Sequence, residues 1–183
     1  MRLIFGLIAP ANLLRARQTR PCFVIGNEAL PAETADIVTD IQGRISCNAG
    51  RTTLSGVPDV SSGGVSFSSI NFATSSQTPL QFALSQFATA TPLASTDLDE
   101  FQRRLDVYLA TEAGIRSVGG SLGIKVPKFF LQFQVSRIQT AQGNPPTAPG
   151  LQVDHLLGKV QKNAPRESQA LLSQVTELSK ALA

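Results

Sequence analysis

Val126-Pro127-Lys128-Phe129-Phe130-Leu131-Gln132-Phe133-Gln134-Val135-Ser136-Arg137-Ile138-Gln139-Thr140-Ala141-Gln142 is the stretch on which the fold class turns. Val126, Phe130 and Phe133 form one stripe at helical spacing, and Leu131, Val135 and Ile138 form another. Together they make a helix that is apolar around most of its circumference and therefore central. Phe129, Leu131, Phe133 and Val135 also alternate as strand residues do, so periodicity alone admits both readings. Length favours the helix, because no breaker interrupts the run between Pro127, a helix-opening residue, and Gly143.

Outward from this stretch the helical signals are clearer. Pro31 opens a segment in which Ile37, Val38 and Ile41 recur at helical spacing before Gly43, with Asp36 and Asp40 on the solvated face. Thr78-Pro79 starts another, with Leu80, Ala83, Leu84 and Phe87 inward and Pro92 beyond its end. Ser95 or Thr96 caps a third, whose stripe is Leu98, Phe101, Leu105, Tyr108 and Leu109. Its charges read as ion pairs four residues apart: Asp99 with Arg103, Glu100 with Arg104, and Glu112 with Arg116. After a linker at 143–150 stiffened by three prolines, Val153, Leu156, Leu157 and Val160 mark one C-terminal helix, and Leu171, Val175, Leu178 and Leu182 a second.

Between Arg44 and Pro79 the composition shifts to Gly, Ser, Thr and Asn. Val65 and Phe67 alternate with serines, then Ile70 and Phe72 alternate in the opposite phase, which predicts a short irregular or β segment around residues 60–75. The expected fold is thus a mainly α, single-domain multi-helix bundle over residues 21–183.

The chain has 183 residues, 42% of them apolar, and a mean hydropathy of +0.06, as expected of one domain with a buried core. No stretch has the eighteen or so consecutive apolar residues of a membrane span, so no spanning segment is expected. One histidine and two cysteines are too few for a zinc site built from Cys and His alone, and no cofactor motif is present. The formal charge of +3 depends on Arg2, Arg15, Arg17 and Arg20. Residues 21–183 carry 12 Lys and Arg against 13 Asp and Glu, so the body has no basic surplus and nucleic acid is not an expected partner.

Residues 1–20 read as a leader: a positive start at Met1-Arg2, an apolar run from Leu3 to Ala9, small residues at Ala9-Pro10-Ala11, then an arginine-bearing pro-segment. That predicts export. Cys22 and Cys47 are the only cysteines, and in an exported chain an even count predicts a disulfide, worth roughly 3 to 3.5 kcal/mol for a loop of this length.

Three chemical readings follow. The first is binding or surface interaction without catalysis, with a protein, cell-wall or lipid partner. The second is a carrier of lipid or another apolar ligand in an inter-helical cavity, whose candidate lining is Phe82, Phe87, Phe101, Tyr108, Phe130 and Phe133. The third is a serine hydrolase, because Gly119-Gly120-Ser121-Leu122-Gly123 matches the G-x-S-x-G elbow and Asp154 and His155 follow it. The context is poor for the third: no clear strand precedes Ser121, and neighbouring helical residues point roughly 100° apart, so Asp154 does not orient His155. The chain is therefore expected not to be an enzyme.

The leader with its basic end, Cys22-Phe23-Val24-Ile25-Gly26, Leu30-Pro31-Ala32, Gly63-Gly64-Val65-Ser66-Phe67 and Val126-Pro127-Lys128-Phe129-Phe130 together resemble the small secreted proteins of filamentous fungi. The resemblance implies an extracellular or wall-associated protein and carries over no functional residues.

Overall fold

The computed structural model describes residues 20–182, so the leader reading of residues 1–19 lies outside the described part. The deciding stretch is a helix. It forms α4 (Lys125–Ala141), buried from Val126 to Ile138 at every position but Gln132. In chain order the other helices are α1 (Ala32–Ile41), α2 (Pro79–Gln86), α3 (Leu98–Ser117), α5 (Val153–Asn163) and α6 (Gln169–Lys180). Helices α2, α3 and α5 all pack on α4, which is why most of its circumference is apolar and the polar residues it buries are few.

α3 is the second axis of the core. From Asp106 to Ser117 only Arg116 is not buried, because α1, α4 and a small sheet cover it. Glu112 of α3 faces Lys128 near the start of α4, while Leu105 and Val135 share a cleft further along, so the two helices run antiparallel. The chain reverses between them through a helix stop at Gly119: Gly119 N–H donates to the carbonyl of Arg116 and Gly120 N–H to that of Ile115. Gly119 has φ +66°, the left-handed conformation that this stop requires and that glycine adopts without steric cost.

Tyr108 is the hub of the aromatic core. Phe67 meets it edge-on at 5.0 Å between ring centroids and Phe87 does so at 5.7 Å, with Phe82 in turn against Phe87 at 5.9 Å. Its hydroxyl donates to the carbonyl of Ile70 at 2.6 Å, which satisfies the one polar atom of a fully buried ring.

The sheet is antiparallel in the order β1 (Ser46–Thr52), β2 (Pro58–Ser62), β3 (Val65–Ser66), so extended structure begins well before residue 60. Cys47 lies opposite Val60, and the Cys22–Cys47 disulfide, with Cα atoms 6.1 Å apart, ties the N-terminal segment to β1. Residues 67–70 and 72–74 are 3₁₀ turns; Phe67 and Ile70 face inward while the serines stay half-exposed or exposed, so this segment covers the core.

Local details differ from expectation in instructive ways. α3 is capped by Asp97, which accepts from Glu100 N–H at 3.0 Å; the Thr96 hydroxyl accepts from Ala90 N–H instead. Glu100, not Asp99, takes Arg103 as well as Arg104. The proline-rich linker does not set the C-terminal helices apart: α5 buries Val153, Leu156 and Val160 against α4, and α6 packs on α5 and α2. Glu167, between α5 and α6, caps α2 by accepting from the Thr78 hydroxyl at 2.7 Å and from Leu80 N–H at 3.1 Å.

Candidate functional site

Two grooves open where α1 packs on α3, and Ile37 and Leu109 form a wall common to both. The larger groove, about 810 Å³, is floored by Ile41, Leu105 and Val135 together with that shared wall. Its polar rim is organised by Asp106, a buried carboxylate on α3. Arg44 grips Asp106 with Nε and a terminal nitrogen, each at 2.9 Å, and the Ser62 hydroxyl donates to it at 3.1 Å. The remaining guanidinium nitrogen donates to the carbonyl of Asp40 at 2.9 Å. This bidentate pair locks the end of α1 to α3 and to the end of β2, and it holds the Arg44 guanidinium above its ordinary pKa. The rim is therefore preorganised.

The smaller cavity, about 130 Å³, lies beyond the wall, and most of the residues that line it are charged. At its centre Glu112 is buried and shared: one oxygen accepts from Arg116 Nε at 2.9 Å, and the other stands 3.1 Å from Lys128 Nζ. Lys128 is equally buried, with Nζ 3.5 Å from the centroid of the Phe129 ring. Burial pushes its ammonium below the ordinary lysine pKa, and Glu112 pulls it back up. Lys125 and Lys159 complete the cationic side and Glu33 faces them from α1.

The residues singled out in the sequence are distributed differently. Phe82, Phe87, Phe101, Tyr108, Phe130 and Phe133 are all buried, but none lines either groove; they pack within the core. Ser121 is exposed on the turn after α3, so a helix precedes it where a nucleophile elbow has a strand. His155 is exposed in the first turn of α5, and among the described residues no hydrogen bond joins it to Ser121 or Asp154. The two glycines before Ser121 have structural reasons to be there, since a Cβ on Gly120 would stand 2.5 Å from Ser55 Oγ and Gly119 stops α3.

Sequence reasoning passed over the charge of Lys128 and took Glu112 with Arg116 only as a helical ion pair four residues apart. A signal was present: each is a charge inside an apolar run, Lys128 between Pro127 and Phe129 and Glu112 between Leu109 and Ile115, and a charge so placed is buried only with a partner.

A third cleft, about 640 Å³, lies between α2 and α6, with Leu84, Ala170 and Leu178 among its lining. Among the described residues no cluster of three or more Cys, His, Asp or Glu is gathered for a metal ion, and no helix is long and apolar enough to cross a membrane.

No curated protein and no solved structure matches the chain. A family model does, over residues 24–183, which takes in the helices α1 to α6, the sheet and both grooves; the chain belongs to the family described as Domain of unknown function (DUF7143).

Proposed function

We propose that this is an exported, non-enzymatic binding protein that takes a small ligand with an apolar body in the groove between α1 and α3. The observation that carries the reading is the groove itself: about 810 Å³, with an apolar floor and a rim on which Arg44 and Asp106 hold each other in a bidentate pair. Small-molecule sites have this size and this mixture of apolar lining with a few fixed polar groups. The aromatic core expected to hold such a ligand is filled by its own ring contacts, so the reading moves the ligand from the centre of the bundle to the α1–α3 groove. Export is supported by the leader-like residues 1–20, by the resemblance to small secreted fungal proteins, and by the Cys22–Cys47 bridge, since disulfides persist in oxidising compartments.

Titration with Nile red, a neutral apolar dye, tests the groove. Saturable binding is expected, weakened about tenfold or more by Leu105→Gln, which puts a polar group on the groove floor. Dye binding indifferent to that substitution would remove the groove from consideration. Intact mass of protein from its native source tests export: the expected species lacks the leader and carries no free thiol.

A further inference from the structure

The smaller cavity carries more positive charge than its own acids can neutralise. Arg116 from α3, Lys125 and Lys128 from α4 and Lys159 from α5 converge on it, opposed only by Glu33 and Glu112, which leaves two positive charges in excess. Glu112 is already divided between Arg116 and Lys128. Among the described residues neither Lys125 nor Lys159 stands within ion-pair distance of an acid. The Phe129 ring is shared by two lysine heads, its centroid 3.5 Å from Lys128 Nζ and 5.9 Å from Lys159 Nζ. Lys128 has three N–H donors, and Glu112 with the ring face occupies only part of that capacity.

A set of cations held this close together in a partly enclosed space is costly unless something anionic joins them, because their repulsion is weakly screened where water is scarce. A ligand oxyanion would supply the missing charge and accept the spare donors. The cavity volume sets the ligand's size: about 130 Å³ is the liquid volume of roughly four waters, room for one carboxylate or one phosphate group and not for a polyanion.

The wall formed by Ile37 and Leu109 then acquires a meaning, since an ionic cavity and an apolar-floored groove meet at it. We propose that the cavity lined by Arg116, Lys125, Lys128 and Lys159 is an oxyanion subsite that receives the carboxylate or phosphate head of an amphiphilic ligand, whose apolar body lies across Ile37 and Leu109 in the larger groove. This deepens the binding reading above and rests on it for the apolar half.

Calorimetric titration of the oxidised protein with octanoate, octanol and inorganic phosphate separates the two halves. Octanoate is expected to bind about tenfold or more tightly than octanol, the effect of one additional charged hydrogen-bonded contact. Lys159→Gln is expected to abolish that advantage without changing octanol binding. Lys125→Gln repeats the measurement from another helix, and an unchanged circular-dichroism melt shows that each variant folds. Equal affinity for octanoate and octanol overturns the oxyanion subsite and leaves the apolar groove standing. Binding of phosphate with neither octyl ligand keeps the subsite and overturns the apolar groove. Failure of all three to bind overturns both.

Discussion

Arg137, in the middle of α4, donates from Nε to the carbonyl oxygen of Leu178 at 2.7 Å and so reaches the last turn of α6 from within the core. Its terminal nitrogens donate to the carbonyl of Ala181 at 2.8 Å and to Gln134 Oε1 at 2.6 Å. Gln134 then donates to the carbonyl of Phe87, where α2 ends, at 2.8 Å. Helix C-termini leave carbonyls without intrahelical donors, and one buried Arg–Gln pair supplies them to two helices at once. Burial lowers the Arg137 pKa to about 10, which still keeps the guanidinium charged at neutral pH.

Arg137→Met is accordingly expected to release α6 while leaving the α3–α4 centre folded. The substitution removes the cost of burying a charge but strands two carbonyls and the Gln134 oxygen, and the balance is a loss of about 1 to 3 kcal/mol. Hydrogen exchange resolves where the loss falls: amides of α6 should lose protection and those of α4 should not. Uniform loss across the chain would show that Arg137 supports the core as a whole.

Alkaline pH engages two buried groups with opposite signs. Burial raises the Tyr108 pKa far above its ordinary value of 10.0, so above that pH the unfolded chain has lost a proton that the folded chain keeps. The stability contributed by Tyr108 is therefore intact below pH 10 or so and declines as pH rises beyond it. Lys128 is lowered from 10.5 by burial, so in the window just below that value the unfolded chain binds more protons and this group's contribution grows with pH. Tyr108 is the only tyrosine and the chain has no tryptophan, so tyrosinate absorbance reports one site. It should stay silent while circular dichroism remains native and appear together with unfolding; a tyrosinate signal in the native protein would contradict the burial of this ring.

Gly114 tests how closely the N-terminal segment sits on α3. On an exposed helix face Gly→Ala stabilises by about 1 kcal/mol. Here the added Cβ would stand 2.5 Å from the carbonyl oxygen of Phe23 and 2.7 Å from Val57 Cγ2. Overpacking of that kind costs about 1 to 3 kcal/mol, so the sign reverses and Gly114→Ala should lower the denaturation midpoint. A raised midpoint would mean that the segment yields without cost.

The helices were legible because each carried its own punctuation: Pro31, Thr78-Pro79 and Gly143 all act where the sequence places them. β1 was not, since Ser46–Thr52 is almost wholly exposed and holds no alternating apolar residues to betray a strand. The irregular or β segment expected around residues 60–75 is present, but its change of phase is a 3₁₀ turn: Phe67 and Ile70 lie three apart, and such a turn brings residues at that spacing onto one side. The ionic cavity was hidden for a different reason. Glu112 and Lys128 lie on different helices, and only the antiparallel packing of α3 on α4 brings them within 3.1 Å. No local pattern encodes that meeting; the sequence records only that two charges stand in apolar company.

The Cys22–Cys47 bridge should matter locally as well as globally. It closes a loop with a sequence separation of 25, for which chain entropy predicts about 3.5 kcal/mol of stabilisation lost on reduction, measurable as a shift in the guanidinium midpoint. The residues next to Cys22 show what else the bridge holds. Phe23 is buried, Gly26 N–H donates to the Ser117 hydroxyl at 2.9 Å, and Glu28 N–H donates to the Ser117 carbonyl at 2.9 Å, so the segment covers the C-terminal turn of α3. Freed from β1, it would be retained by these contacts alone. Hydrogen exchange on the reduced protein is thus expected to show Gly26 and Glu28 losing protection at denaturant concentrations where α4 keeps it. Loss at both places together would mean that the bridge stabilises the fold only through the unfolded chain and fastens nothing in particular.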